Sequence, residues 1–195
     1  MGLREQAMHQ RLRPLDENAC VFAGRARTVQ WMSTEYVVSP HPYGKEIDIM
    51  DDLKPGDVVV HSTDYARANA PWGELMSTIA KYRGAVGCIC DSQIRDVARI
   101  RAMGFPVFYA GIRPVDSKGR GYVVDYDVPV RSGGVVVNAG DLIFADLDGV
   151  VVIPRGKEEE VIRRAAEKAK AEDLSRMELL QGKSLREVYD RYGAL

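Results

Sequence analysis

The sequence predicts an α/β fold: a parallel strand–helix unit, then antiparallel hairpins, then a helical tail. Three observations predict it. Between residues 57 and 111, short apolar runs alternate with stretches whose apolar residues recur at helical spacing. That alternation is what a parallel sheet with right-handed crossovers requires. From Gly121 to Pro154, short β-rich runs are separated by Gly, Asn and Asp turns, the pattern of hairpins. Beyond Gly156 the chain becomes highly charged with a thin apolar stripe, the pattern of an exposed helix. The expected organisation is therefore an α/β domain over residues 1–155 and a helical tail over residues 156–195.

The elements follow in order. The segment up to Arg13 is polar. "CVFAGRARTVQ" reads as an early strand interrupted by a glycine. The Pro and Gly cluster in "SPHPYGKEID" marks a loop, and "DVVVHS" is a short strand behind a Pro-Gly-Asp turn. "WGELMSTIAKYRG" places Leu75, Met76, Ile79 and Ala80 on one helical face, with Gly84 as the stop. "AVGCICD" is a buried strand. "SQIRDVARIRAMG" is a second helix, with Ser92 as its cap, Ile94, Val97, Ala98 and Ile100 on its stripe, and Gly104 at its end. "FPVFYAG" is the next strand. The tail helix carries acids at its start, as the helix dipole favours. Its stripe begins with Val161, Ile162, Ala165 and Ala169, and Gly182 ends it. Ser184 and Glu187 then have capping-box spacing for a last short helix. So thin a stripe suits packing on a neighbouring subunit.

Composition bounds the function. The chain has 195 residues and a net charge of −1, so it lacks the basic footprint of a nucleic-acid binder. No apolar stretch is long enough to cross a bilayer, and the amino terminus has no signal-peptide core. Three cysteines argue against a disulfide framework and for a reducing cytoplasm. Cys88 and Cys90 fall on one face of a strand, as buried structural residues or as half of a soft-metal site. His61 ends a strand, as a capped loop residue, a ligand or a base. "DLDG" at 146–149 reads as a turn, since the later glutamate of a calcium loop is missing.

The candidate site is "CDSQIRD". Ligands of parallel α/β units bind at the carboxyl ends of strands. Asp91 stands at such an end, Arg95 and Asp96 are expected in the first turn of the next helix, and Glu74 opens the previous one. Amides that open a helix lack internal partners and attract anions. An arginine fork binds a carboxylate at two points. A carboxylate beside it suits Mg²⁺, which takes few protein ligands plus water and substrate. The two together match a 2-oxo acid, whose enolate a cation would stabilise. The plain alternative stays open: helix-start acids favour the dipole, and Arg95 pairs with Asp91 on the surface.

The stretch "WGELMSTIAKYRGAVGCICDSQIRDVARIRAMGFPVFYAG", followed by "VPVRSGGVVVNAGDLIFADLDGVVVIP", resembles the RraA-like family. That family comprises the class II 4-hydroxy-4-methyl-2-oxoglutarate/4-carboxy-4-hydroxy-2-oxoadipate aldolases and the regulator of ribonuclease E activity. The most specific features are an acid, a gap of twenty residues and then Arg-Asp, here Glu74 and Arg95-Asp96, with the Gly-Gly and Gly-Asp strands downstream. The resemblance implies a swivelling β/β/α fold with a C-terminal helical tail, assembled as a homotrimer or homohexamer with sites between subunits. It implies a Mg²⁺- or Mn²⁺-dependent aldolase that releases pyruvate from a 4-hydroxy-2-oxo acid and decarboxylates oxaloacetate. Asp96 would be the direct metal ligand, Arg95 the carboxylate clamp, and Glu74 an acid acting through water. Gly73, Leu75 and Met76 would meet the pyruvate carboxylate, with Asp91 beside them. Glu172 would reach a neighbouring subunit's metal through water, with Asp173 close behind. The other expectation is a non-catalytic regulator that docks on a ribonuclease or another protein. The family has Asp-Gly or Asp-Ala at the strand end, whereas Ser92 follows Asp91 here.

Overall fold

A computed structural model describes residues 2–64 and 69–194; Met1 and Leu195, the outer ends of the two expected domains, lie outside the described residues. The chain separates into two compact units, Met1–Arg155 and Gly156–Leu195.

In the first unit, β1 (Arg13–Pro14) and a short 3-10 turn lead into the long β2 (Phe22–Ser33). There follow α1 (Gly44–Asp51), β3 (Asp57–Ser62), α2 (Glu74–Tyr82), β4 (Gly87–Ile94), α3 (Val97–Met103) and β5 (Val107–Ile112). β6 (Gly121–Tyr126), β7 (Val130–Ser132), β8 (Val135–Val137), β9 (Leu142–Asp146) and β10 (Gly149–Ile153) complete it. The main sheet runs β1-β5-β4-β3-β2-β9-β10, with β6 also on β2. β2, β3, β4 and β5 are mutually parallel neighbours, as the alternating pattern predicts. β7–β8 and β9–β10 are antiparallel hairpins, and Asp146–Gly149 is the turn between β9 and β10.

Period-two alternation sorts the strand side chains to two faces. Val59, Cys88, Cys90 and Val107 face one way, against Ile49, Met50, Ala80 and Ile100 of the three helices. Val58, Val60, Ile89 and Phe108 face the other way, against the β7–β8 hairpin and the N-terminal Met8 and Leu12. The result is three layers: hairpin, sheet, helices. Every residue of β3 is buried, as a strand covered on both faces must be. All three cysteines are buried and free. Gly24 does not interrupt β2. A Cβ there would stand 2.3 Å from the carbonyl oxygen of Gly56, so glycine allows the β2–β3 approach.

Before β1, Met8 N donates to Val150 O at 2.9 Å and Val152 N donates to Gln6 O at 2.9 Å. One short segment thus lies along β10 and then, through β1, along β5. It covers both ends of the main sheet.

Two element boundaries differ from expectation. The Pro and Gly cluster leads into α1 rather than forming only a loop; Ile49, Met50 and then Leu53 anchor it in the core. β4 continues through Ser92 to Ile94, so Ser92 caps nothing. Its hydroxyl donates to the carbonyl of Asn69 at 3.0 Å. A bulge between Cys90 and Gln93 turns the end of the strand, and α3 begins only at Val97.

The second unit holds α4 (Glu158–Leu180) and α5 (Leu185–Tyr192). Ser184 forms the expected capping box with Glu187. Glu178 gathers Arg191, Lys183 and the hydroxyl of Tyr192, which ties the two helices together. No helix among the described residues is long and apolar enough to cross a membrane.

Candidate functional site

The loop before α2 is strapped to the end of β4. Trp72 is fully buried, its indole N–H donates to Ser77 Oγ at 2.8 Å, and its carbonyl accepts from Arg95 N at 2.9 Å. Ser77 in turn donates to the Gly73 carbonyl at 3.0 Å. These bonds press Gly73 and Glu74 against Arg95 and Asp96. Gly73 is the N-cap of α2, and a Cβ on it would meet Asp96 Oδ2 at 2.8 Å and Arg95 Cγ at 3.0 Å. The backbone N–H of Glu74 donates to Asp96 Oδ2 at 3.2 Å. Nothing among the described residues accepts from the amides of Leu75 and Met76, as the first turn of a helix leaves them.

Arg95 precedes α3, and Asp96 is its N-cap, which corrects the expected first-turn placement. Asp96 adopts φ 60°, a left-handed conformation, and its side chain caps nothing. The short Asp side chain tolerates that conformation better than most. Its Oδ2 faces Glu74 N and lies 3.8 Å from Arg95 Nε, while Oδ1 has no partner among the described residues. Arg95 Nη1 donates to the carbonyl of Ala70 at 2.5 Å, and Nη2 lies 3.8 Å from Asp116 Oδ1. Glu74 Oε2 is 3.7 Å from Arg99 Nη1. Arg95, Asp96, Arg99 and Asp116 share an open pocket of about 680 Å³ with apolar residues including Ile112 and Val115.

Asp91 does not form the surface pair with Arg95 that the plain alternative offers. It faces β3 and not Arg95, because the bulge turns the strand between them. Its Oδ1 accepts from Thr63 N at 2.8 Å and Thr63 Oγ1 at 2.7 Å. Its Oδ2 is buried without a partner, and burial pushes its pKa up to about 6. His61 is a core residue rather than a capped loop histidine. Its Nδ1 accepts from Trp31 Nε1 at 2.8 Å, and burial pushes its pKa down to about 3, so it is neutral. Glu172 lies on α4, paired with Lys168 at 3.3 Å, and Asp173 pairs with Arg176 at 2.5 Å.

Three residues join the site that sequence spacing does not reveal. Asp116 faces Arg95. The hydroxyl of Tyr43 donates to Asp116 Oδ2 at 2.5 Å. Glu46, 5% exposed on α1, is pushed up to about 8 by burial, with Arg95 opposing and Asp116 adding to the rise. These contacts span 21 to 73 positions of chain, so no local motif carries them.

Residues 1–152 match the family described as RraA-like, Aldolase/RraA. The chain belongs to the RraA-like family. A Halalkalibacterium halodurans protein with the provisional name 4-hydroxy-4-methyl-2-oxoglutarate aldolase is 37% identical over 165 residues, or 85% of this chain and 74% of that one. An uncharacterized protein of Methanocaldococcus jannaschii is 32% identical over 178 residues, 91% of this chain and 82% of that one. Among solved structures, Streptomyces coelicolor RraAS2, described as an unusual member of the RNase ES inhibitor RraA protein family, matches with a TM-score of 0.83. It is 32% identical and covers 91% of this chain and 87% of its own. The hairpin, sheet and helix layers are those of an RraA-like domain, as the sequence resemblance implies.

Proposed function

We propose that this RraA-like protein is a divalent-metal-dependent carbon–carbon lyase. It cleaves a 4-hydroxy-2-oxo acid to pyruvate and decarboxylates oxaloacetate through the same enolate. The observation that carries the reading is the convergence of Asp96, Arg95 and the opening of α2, with Asp96 and Arg95 lining an open pocket. The likeness to an aldolase-named relative supports it.

The donor set fits Mg²⁺ or Mn²⁺. Asp96 offers a carboxylate oxygen with no protein partner, and Glu74 offers a second acid beside it. Such a cation needs only one or two protein carboxylates, with water and substrate oxygens filling the remainder. No cluster of three or more candidate ligands is gathered among the described residues, so a further acid, Glu172, would come from a neighbouring subunit of a trimer or hexamer. When bound, the cation stabilises negative charge on the substrate's 2-oxo oxygen.

The residues divide the remaining work. The amides of Leu75 and Met76, exposed by the side-chain-free Gly73, hold the substrate carboxylate. Arg95 polarises the 2-oxo group and neutralises the enolate oxygen. Glu74, directly or through water, takes the proton of the 4-hydroxyl. The C3–C4 bond then breaks, its electron pair enters the enolate, and the carbonyl fragment leaves. Protonation at C3 gives pyruvate. With oxaloacetate, the same bond breaks and CO₂ leaves instead. The buried, unpaired cysteines suit a reducing cytoplasm.

The test is pyruvate release from oxaloacetate and from a panel of 4-hydroxy-2-oxo acids with Mg²⁺ or Mn²⁺. Asp96→Asn lowers the rate by at least about 10²-fold, and chelation abolishes it. No release from any substrate would end the reading. The likeness to RraAS2 supports a second reading, a regulator docking on a ribonuclease. A partner that binds the wild type and Asp96→Ala equally, with no lyase activity in either, would favour it.

A further inference from the structure

The pocket around Arg95 is poorly suited to a second substrate carboxylate. Among the described residues, each arginine that lines it already has an acid. Arg95 lies 3.8 Å from both Asp96 and Asp116, and Arg99 lies 3.7 Å from Glu74. Lys118 lines a different pocket, with Tyr43 and Asp48. Much of the remaining lining is apolar, with Ile112, Pro114 and Val115 prominent. Asp116 is held in place by two donors, the Tyr43 hydroxyl at 2.5 Å on Oδ2 and the Ser117 amide at 2.7 Å on Oδ1. Glu46 is buried within electrostatic reach of both Arg95 and Asp116.

We propose that Asp116, fixed by Tyr43 and backed by Glu46, restricts aldol cleavage to 4-hydroxy-2-oxo acids whose departing carbonyl fragment carries hydroxyl groups and no carboxylate; in oxaloacetate the second carboxylate is itself the CO₂ that leaves. The chemical class is that of 2-oxo acids derived from sugar acids. This inference rests on the lyase reading above. A second carboxylate would lose its water against Asp116 and apolar side chains, and each arginine among the described lining residues already faces an acid. A hydroxyl meets the same wall favourably, because a carboxylate oxygen has further lone pairs to accept its proton.

The experiment compares two probes with Mg²⁺: 4,5-dihydroxy-2-oxopentanoate, which has one carboxylate, and 4-hydroxy-2-oxoglutarate, which has two. The expected result is a kcat/KM for the first at least about tenfold higher, through KM as well as kcat. Asp116→Asn narrows that ratio, because it removes a negative group from the wall, and Glu46→Gln narrows it above pH 8, where Glu46 has given up the proton that burial holds on it. Equal or better cleavage of the dicarboxylate by the wild type overturns the proposal and leaves the lyase reading standing. So does a preference that neither variant changes. Pyruvate from neither probe nor from oxaloacetate defeats both.

Discussion

A methyl group at Gly73 would stand 2.8 Å from Asp96 Oδ2, closer than carbon and oxygen tolerate. The backbone there is extended, at φ −154°, so alanine fits the chain but not its neighbours. Gly73→Ala is therefore expected to displace Asp96 and Arg95, lowering kcat/KM at least about tenfold while thermal unfolding changes little. Glu46 gives a second residue-scale prediction. Burial raises its pKa from an ordinary 4.5 to about 8. Between those values the unfolded chain releases a proton that the folded chain keeps, so this group makes stability fall as pH rises. Asp91, raised to about 6, acts in the same sense at lower pH, and His61, depressed to about 3, acts in the opposite sense below 6.5. From pH 6.5 to 8 Glu46 is the dominant of these three. Unfolding free energies of the wild type, measured in urea, should fall across that window by up to about 1 kcal/mol per pH unit, and those of Glu46→Gln should not. The closeness of Arg95, Asp96 and Glu74 was legible because strand ends and helix starts are local patterns. Asp116 and Tyr43 were not, because their bond closes a loop of chain that leaves no spacing to read.

At the scale of elements, the parallel strands were legible because strands buried on both faces form continuous apolar runs, as β3 does. α1 was not. It sits behind Pro40 and Pro42, opens on Gly44, has no side-chain cap, and leaves Ile47 exposed, so punctuation outweighs its short stripe. The start of α3 was misplaced for a tertiary reason. Ser92 looks like a cap, but β5 and the Asn69 loop hold it in a strand. The one capping box that sequence spacing identified does form, at Ser184 and Glu187. Ser184→Ala should cost about 1 kcal/mol. Faster amide exchange over Leu185–Tyr192, with α2 unaffected, would show that the cost is local.

At the scale of the molecule, two apolar clusters flank one sheet, and both lie within residues 8–152. The α/β domain therefore carries its core within itself. The sheet has strands that end its order, β10 on one side and β1 on β5 at the other, yet the backbone of Gln6–Met8 occupies the first and Arg13–Pro14 forms the second. A chain lacking residues 2–14 would keep most of its core and lose this cover. It would then present two bare rows of N–H and C=O groups, each a template for another copy. Such a chain is expected to polymerise edge to edge, and light scattering would follow the growth. Residues 2–14, polar and unremarkable as sequence, would then act as an inhibitor of fibre formation covalently attached to what it protects.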